Sequence, residues 1–576
     1  MSLMSSLYTG TSGLRIAQNA LNTTAHNMAN VDTKGYTRQQ VIITDNNYQT
    51  VGSNNLFYFQ IGTGTDIAKV MTYRNIFYDQ AYRASNGRLG FYTAQYESVN
   101  EIENLVGETE GVAFQKSVTS LWNGLQELCK DPGNIVVRST FVNSCGSFLE
   151  HARNITEQLC EYQKSLNTNI VNCVSQINKY GEQIAELNAK ICTAEAGGVE
   201  RANDLRDQRD LILDQMSELV RISYKEDMNG AVNVWIEGKQ FVVAGDYYKM
   251  DTAKVNDNSE LVKPVWPHLD NKDVFKEGET ISTEFDTDIG YLKGLVVGRG
   301  TREANYTDIP VEPKRENFAS DAEFDAAKEK FDKDLKEYYK SIDSSTIMTM
   351  QAQFDKLIHG IVTMINDALC PNKEITDAAT GEKYLVLDTE KAPVGMDADS
   401  TQGLEIFSRK NVERYKEMTI NGETYYVYQQ EKAEEQISLY TIGQLKINQE
   451  ILSDYSKLPL SANNGSKEFD LETCKHLISK WQENFSNIDP GSLTTFNFNN
   501  YYTNLVGAIA NRGSLYRTKA ENQQLTLNQI EGIRQSVLGV NSDDELTNII
   551  RFQHAYGASS RYITTVNDML ETLLNL

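Results

Sequence analysis

The chain opens with Leu7, Leu14, Leu21 and Met28 at a strict spacing of seven, with Ala17 and Thr24 at companion positions. Residues seven apart return to one face of a helix, so this spacing predicts a first helix with a coiled-coil seam. The far end repeats the pattern: Ile549, Phe552, Tyr556, Ser559, Ile563, Val566, Leu570 and Leu573 alternate steps of three and four. A third seam runs through Leu166, Ile170, Cys173, Ile177, Tyr180, Ile184, Leu187 and Ile191. It leads into a charged helix, NDLRDQRDLILDQM, in which Arg206 and Asp210 have the i, i+4 spacing of an ion pair.

Between the terminal seams the period switches to two. Val232, Val234 and Ile236, the turn Glu237-Gly238-Lys239, then Phe241 and Val243 read as a hairpin. A second hairpin is read from MTINGETYYVYQQ, where Asn421-Gly422 separates two alternating segments. Phe324, Ala327, Phe331, Leu335 and Tyr338 keep helical spacing within a charged segment, and a further helix is expected from about Ser345 to Ala368. The expected class is α+β: long helices from both chain ends form a coiled-coil and helical-bundle stalk, with β-rich domains inserted in the middle. The division is 1–35 with 541–576 as a terminal coiled-coil domain, and 36–220 with 341–369 and 441–540 as a helical bundle. Residues 221–340 form a β-rich insertion with a charged helix, and 370–440 a second β insertion.

Such nesting brings the chain ends together. Taken alone, either seam reads as an ordinary core helix; their placement at opposite extremes favours assembly helices. A lone seam of this length is marginally stable, because helix nucleation is costly and the apolar stripe stays wet. The ends are therefore expected to be mobile in the free monomer and ordered by neighbours.

After the first helix, HNMANVDTKGYTRQQ specifies a stop. Asn30 is suited to a left-handed cap, Asp32 to folding its side chain onto the backbone two residues on, and Gly35 to a positive φ. Arg38 reads as a solvated charge in preference to a salt-bridge residue at a subunit contact.

A chain of 576 residues predicts several domains. With 79 acidic against 55 basic residues, the formal charge of -24 repels phosphate backbones and anionic membranes, so neither nucleic acid nor membrane insertion is expected. The first residues lack the basic and apolar regions of a cleaved signal, and the N-terminus is expected to be retained. Seven scattered cysteines without a CxxC pair read as buried free thiols. The six histidines form no HExxH, and Gly62-Thr63-Gly64 lacks the Lys-Ser/Thr of a phosphate loop and reads as a strand-adjacent turn. No cofactor, metal or catalytic residues are expected.

The run Asn27-Met28-Ala29-Asn30-Val31-Asp32-Thr33-Lys34-Gly35-Tyr36 resembles the N-terminal signature of bacterial flagellar axial proteins, the rod, hook and flagellin-like family. VNSDDELTNIIRFQHAYGASSRYITTVNDMLETLL resembles the matching C-terminal signature. Tyr36-Thr37-Arg38-Gln39, the block Asn203 to Asp210, and Tyr556 to Arg561 are similar to the hook-filament junction branch more than to hook or rod proteins. The resemblance implies a non-enzymatic structural component that polymerises at the hook tip. It implies self-association in a ring, the hook protein on one side and the second junction protein, hook-associated protein 3, on the other. It also implies a flagellar export chaperone on the C-terminal helix, unfolded export through the flagellar type III apparatus, and a final location in the extracellular flagellum. The assembly interface implied comprises Leu7, Leu14, Leu21, Met28, Asn30, Gly35, Tyr36 and Arg38 with Ile549, Phe552, Tyr556, Ile563, Val566, Leu570 and Leu573. The alternatives are another axial protein, hook or rod, or an adhesive module displayed by the middle of the chain.

Overall fold

The computed structural model describes residues 3–54, 57–106, 114–197, 201–257, 259–276, 278–318, 320–378, 380–463 and 469–575, without the side chains of 3–4 and 49–61. The chain begins with helix α1 (Leu3–Ala29) and four strands, β1 (Gln39–Asp45), β2 (Tyr48–Asn54), β3 (Phe57–Gly62) and β4 (Thr65–Thr72). Helices α2 (Ile76–Val106), α3 (Phe114–Lys130), α4 (Ile135–Glu195) and α5 (Asn203–Leu219) follow. The four strands pair antiparallel as β1 with β4 and β2 with β3, so the segment doubles back toward α1. Apart from the strand-adjacent turn read at Gly62-Thr63-Gly64, which joins β3 to β4, this β structure was not legible within the stretch read as helical; its strands carry few strictly alternating apolar positions because most of β1 faces solvent.

The third seam lies within α4, which is 61 residues long and capped by the Asn134 side chain accepting from the Val136 N–H. Its Leu166, Ile170, Ile177, Ile184 and Ile191 are buried, which packs this face of the helix against its neighbours. In NDLRDQRD the expected pairing is corrected. Arg206 turns away from Asp210 and pairs with Glu195 (2.7 Å) and Glu226 (2.5 Å), while Asp210 pairs with Arg74 and Arg83. Residues four apart on a helix do not pair when tertiary partners offer each charge a better-buried site.

The first insertion holds β5 (Ile222–Glu226), β6 (Val232–Ile236), β7 (Lys239–Val243) and β8 (Asp246–Tyr247) in one antiparallel sheet. A three-stranded sheet follows from β9 (Asp251–Lys254), β10 (Val262–Trp266) and β11 (Lys272–Asp273). The β6–β7 turn uses positive φ at Glu237 (47°) and Gly238 (74°), the primed geometry that matches strand twist. A register slip between Val234 and Trp235 buries Phe241 and Val242 together, so Val243 does not share the face of Phe241 as strict alternation predicts. Helices α6 (Tyr291–Arg299), α7 (Asp321–Ser341) and α8 (Thr346–Leu369) come next. On α7 only Tyr338 is buried; Phe324, Ala327, Phe331 and Leu335 stay half-exposed.

The second insertion contains β12 (Asn372–Thr376), β13 (Lys383–Leu387), β14 (Phe407–Arg409), β15 (Tyr415–Ile420), β16 (Glu423–Tyr428) and β17 (Leu445–Ile447). Asn421 and Gly422 have φ of 54° and 86° and form the β15–β16 turn. The chain returns through α9 (Gln449–Ser453) and α10 (Leu471–Gln482) to the 41-residue α11 (Phe498–Leu538) and finally α12 (Ser542–Leu574). Helix α11 packs along α2, and α12 along α1. The main core gathers Phe114, Phe148, Phe354 and Tyr502, with Phe114 within 5.4 Å of each of the other three rings by centroid.

Candidate functional site

Helix α1 and α12 meet through small residues. Buried on α1 are Ser5, Ser12, Ile16, Ala17, Ala20, Thr24 and Asn27, and the line Ala17, Ala20, Thr24, Asn27 is continued toward the N-terminus by Gly10 and Gly13. A Cβ placed on Gly10 would lie 2.7 Å from Cγ1 of Ile563, and one on Gly13 would lie 2.9 Å from Oγ of Ser559. Residues 10, 13, 17, 20, 24 and 27 alternate steps of three and four, a seam of small side chains beside the leucine line. Small residues let helix backbones approach closely, and this contact runs antiparallel, Gly10 against Ile563 and Asn27 near Glu545.

Leu7, Leu14, Leu21 and Met28 flank that seam and are half-buried. On α12, Val566 is buried; Ile549, Phe552, Ile563 and Leu570 are half-buried; Tyr556 and Leu573 are exposed. Leu546, Ile550, Tyr562 and Met569 add exposed apolar surface along the same helix. The paired helices thus cover one side of each other and leave apolar margins in water.

Below them lies the joint. Helix α1 stops at Ala29, and the Asn30 N–H still bonds to the carbonyls of His26 and Asn27. Asn30 has no positive φ, which corrects the expected left-handed cap. Its side-chain amide donates to the His26 carbonyl (3.0 Å) and its Oδ1 accepts from Thr33 Oγ1 (3.1 Å), so the side chain closes the helix end. Asp32 is exposed and does not bond to the turn. Gly35 has φ +84°, and its α-carbon faces Leu211 of α5 so closely that a Cβ would lie 3.2 Å from Leu211 Cβ.

Tyr36 to Gln39 form a strap to four elements. Asn27, fully buried, accepts from Tyr36 Oη (2.8 Å) and the Gln39 N–H (3.0 Å) and donates to the Gln39 carbonyl (2.9 Å). The same amide reaches Glu545 Oε2 (3.2 Å) in α12. The Thr37 N–H donates to Asp207 of α5 (2.8 Å), and the Arg38 N–H to the Leu538 carbonyl at the end of α11 (2.9 Å). Arg38 is not the solvated charge expected: its Nε pairs with Glu545 Oε1 at 2.7 Å, and Glu545 is only 2% exposed. Burial, with the carboxylates of Asp204, Asp207 and Glu545, holds the Tyr36 phenol well above its ordinary range. Burial also pushes the Asp207 carboxyl up to about 6, against the opposing pull of the Thr37 bonds and Arg74.

The strap rests on an ion network joining α2, α5 and α11. Arg74 forms ion pairs with Asp79 (2.7 Å) and Asp210 (2.6 Å), Arg83 with Asp214 (2.7 Å) and Asp210 (3.2 Å), and Arg534 with Asp214 (2.6 Å) and Asp79 (2.9 Å). Burial favours the neutral Asp210 acid, but Arg74, Arg83 and Arg209 outweigh it and keep the group below its usual range. Removing one partner from such a buried set leaves an uncompensated charge, so the network fixes the mutual orientation of its helices. Asn27, Glu545 and Arg534 were missed in the sequence: nothing local distinguishes an asparagine or arginine that bridges distant helices from an exposed one. The small-residue seam was legible, at the same three-four spacing as its leucine neighbour. Among the described residues no group of His, Cys, Asp and Glu could hold a metal ion, and no helix is long and apolar enough to cross a membrane.

The sequence matches known flagellar proteins. Residues 99–370 match the Flagellar hook-associated protein FlgK helical domain, residues 535–576 the Flagellar basal body rod FlgEFG protein C-terminal family, and residues 7–37 the Flagella basal body rod protein family. The chain is 25% identical to Flagellar hook-associated protein 1 of Bacillus subtilis, covering 99% of this chain and 97% of that one. It is 24% identical to the proteins of that name in Salmonella typhimurium and Escherichia coli, covering 98% of each chain. The flagellar hook junction protein FlgK from Burkholderia pseudomallei is similar in structure with a TM-score of 0.48 and 15% identity, over 80% of this chain and 100% of that one.

Paired terminal helices matched to rod families, around a helical body matched to a hook-associated domain, define a flagellar axial structural protein. The chain is a structural protein of the hook-filament junction of the bacterial flagellum, similar over nearly its whole length to flagellar hook-associated protein 1.

Proposed function

We propose that this protein polymerises at the hook tip as a ring in which α1 and α12 line the inner wall and the joint at Tyr36 to Gln39 sets their angle to the body. The observation that carries this reading is the α1–α12 pair itself, bonded to the body through Asn27, Arg38 and Glu545 but left with wet apolar margins. Neighbouring subunits cover those margins through Leu7, Leu14, Leu21 and Met28 on α1 and Ile549, Phe552, Tyr556, Leu570 and Leu573 on α12, whereas Val566 is already buried within the subunit and Ile563 lies against Gly10. Asn30, Gly35, Tyr36 and Arg38 hold the angle from within the subunit. The domains divide as 1–35 with 541–576 inside, the helical bundle around them, and the two β insertions outward. Hook protein covers one face of the ring and hook-associated protein 3 the other. Before assembly, the exposed α12 is the segment a flagellar export chaperone would mask during unfolded type III export. The work is mechanical and needs no catalysis.

The test is a paired Leu14→Glu, Leu21→Glu variant, whose side chains lie on the margin and outside the small-residue seam. The purified variant should keep its α1–α12 amide protection, while cells expressing it should lose the protein from hook tips and secrete unpolymerised filament subunits. Wild-type swimming and normal hook-tip labelling in that strain would overturn the reading.

A further inference from the structure

Helices α3 and α10 pack antiparallel with matched contacts at both ends of their interface. Trp122 stacks on Trp481, ring centroids 5.5 Å apart and planes within 19°. Seven residues along each helix, in opposite senses, Cys129 meets Cys474: Cys129 Sγ donates to the Cys474 carbonyl at 3.5 Å. Just beyond α3, the α-carbon of Gly133 faces the Phe469 ring, which continues the same register. Both cysteines are free thiols.

A buried cation stands beside the pair. Arg138 of α4 has no exposed surface and no carboxylate partner. It donates to the carbonyls of Pro132 (2.6 Å) and Leu458 (2.7 Å), and its second terminal nitrogen has no hydrogen-bond partner. Its charge acts on Cys474, which also sits in the first turn of α10, where the helix dipole favours an anion. The Cys129 hydrogen bond, with Arg138, draws the Cys474 thiol below its ordinary range against burial and Asp470. Cys474 is itself only 2% exposed, but the equally buried Cys145 and Cys370 differ from it in having their thiols pushed up by desolvation.

We propose that Cys129 and Cys474 are a redox-convertible pair, in which Cys474 reacts with a peroxide and Cys129 resolves the product to a disulfide that staples α3 to α10. The Cys474 thiolate attacks one peroxide oxygen; the S–O bond forms, the O–O bond breaks, and hydroxide leaves to take up a proton. Cys129 then attacks the Cys474 sulfenic sulfur; the S–S bond forms, the S–O bond breaks, and the departing hydroxide takes the Cys129 proton as water. In sum, two thiols lose two electrons and two protons, and one peroxide becomes two waters. Only Cys474 has a cation beside it and a second thiol within reach, so the reaction is selective among seven cysteines. The staple would close after the protein leaves a reducing compartment.

The test treats the full-length, fully reduced protein with hydrogen peroxide, then alkylates it under denaturing conditions for mass spectrometry. Expected is loss of alkylation at Cys129 and Cys474, a linked peptide pair reversed by dithiothreitol, and alkylation retained at Cys145 and Cys370. The pair should oxidise at least about tenfold faster than those two thiols. In Cys129→Ser, dimedone should trap a sulfenic acid at Cys474, and Arg138→Gln should slow that trapping severalfold at unchanged circular dichroism. Full alkylation of Cys129 and Cys474 after peroxide treatment, linkage to other cysteines, or equal oxidation rates at Cys474 and Cys145 would overturn the proposal.

Discussion

Gly10 of α1 lies against Ile563 of α12, with 2.7 Å between the position of an added Cβ and Ile563 Cγ1. No side chain larger than hydrogen fits there without moving the helices apart. Gly10→Leu should therefore separate α1 from α12 over this turn while leaving the body unchanged. Hydrogen exchange would show it as faster exchange of amides near residues 7–14 and 559–566, with α4 and α8 protection intact. Unaltered exchange in α12 would mean that the contact does not govern the pairing.

The Arg38–Glu545 bond ties the first turn of α12 to the strap. Glu545 is buried while the Arg38 side chain is 31% exposed, so truncation should cost less than the ~3–5 kcal/mol of breaking a fully buried pair, about 1–2 kcal/mol. Glu545→Gln and Arg38→Gln, measured singly and together by the stability of α12 to exchange, should be non-additive by about 1 kcal/mol. Strict additivity would show that the two side chains do not act together.

Gly35 combines φ +84° with contact to Leu211. Gly35→Ala should destabilise the protein by about 1 kcal/mol or more, since an L-residue is strained in the left-handed region and its methyl meets Leu211. Equilibrium denaturation in urea measures this. Stabilisation would indicate that the turn relaxes to another conformation.

Asp355 is buried in α8, accepting from the N–H groups of Ile442 (3.0 Å) and Tyr306 (3.1 Å), and burial pushes its carboxyl up to about 6. Its folded pKa lies above its unfolded value near 3.9, so between these limits the native state holds more protons than the unfolded one. This group's contribution to stability therefore rises as pH falls from above 6 toward 4, by up to about 1.4 kcal/mol per unit. The stability of the wild type minus that of Asp355→Asn should increase across that window in denaturation curves at stepped pH. A difference that stays flat, or falls with acidification, would refute the assignment.

Local pattern carried much of this protein. Helix α1, the interior seam of α4 and the long α12 follow from spacings that any reader of the sequence can count, because a helix repeats over a few residues. The two hairpin turns follow from Glu237-Gly238 and Asn421-Gly422, where backbone chemistry alone selects the geometry. The axial signatures at the two ends lie in continuous segments and were equally legible.

Less was legible wherever a residue's role depends on who sits opposite. The leucine line was visible, but which of two adjacent three-four lines on α1 would meet α12 depended on Gly10 and Gly13 finding Ile563 and Ser559. Arg206 had a suitable neighbour at Asp210 and took Glu195 and Glu226 instead; Arg38 looked solvated until Glu545, 507 positions away, supplied a buried carboxylate. The sequence by itself determined the helices, the turns and the class of protein, since these are set by interactions within a few residues. Only the tertiary structure decided the joint, the ion network and the register of the terminal pair, because a charge or a small side chain has no preferred partner until folding removes water and sets distant segments within reach.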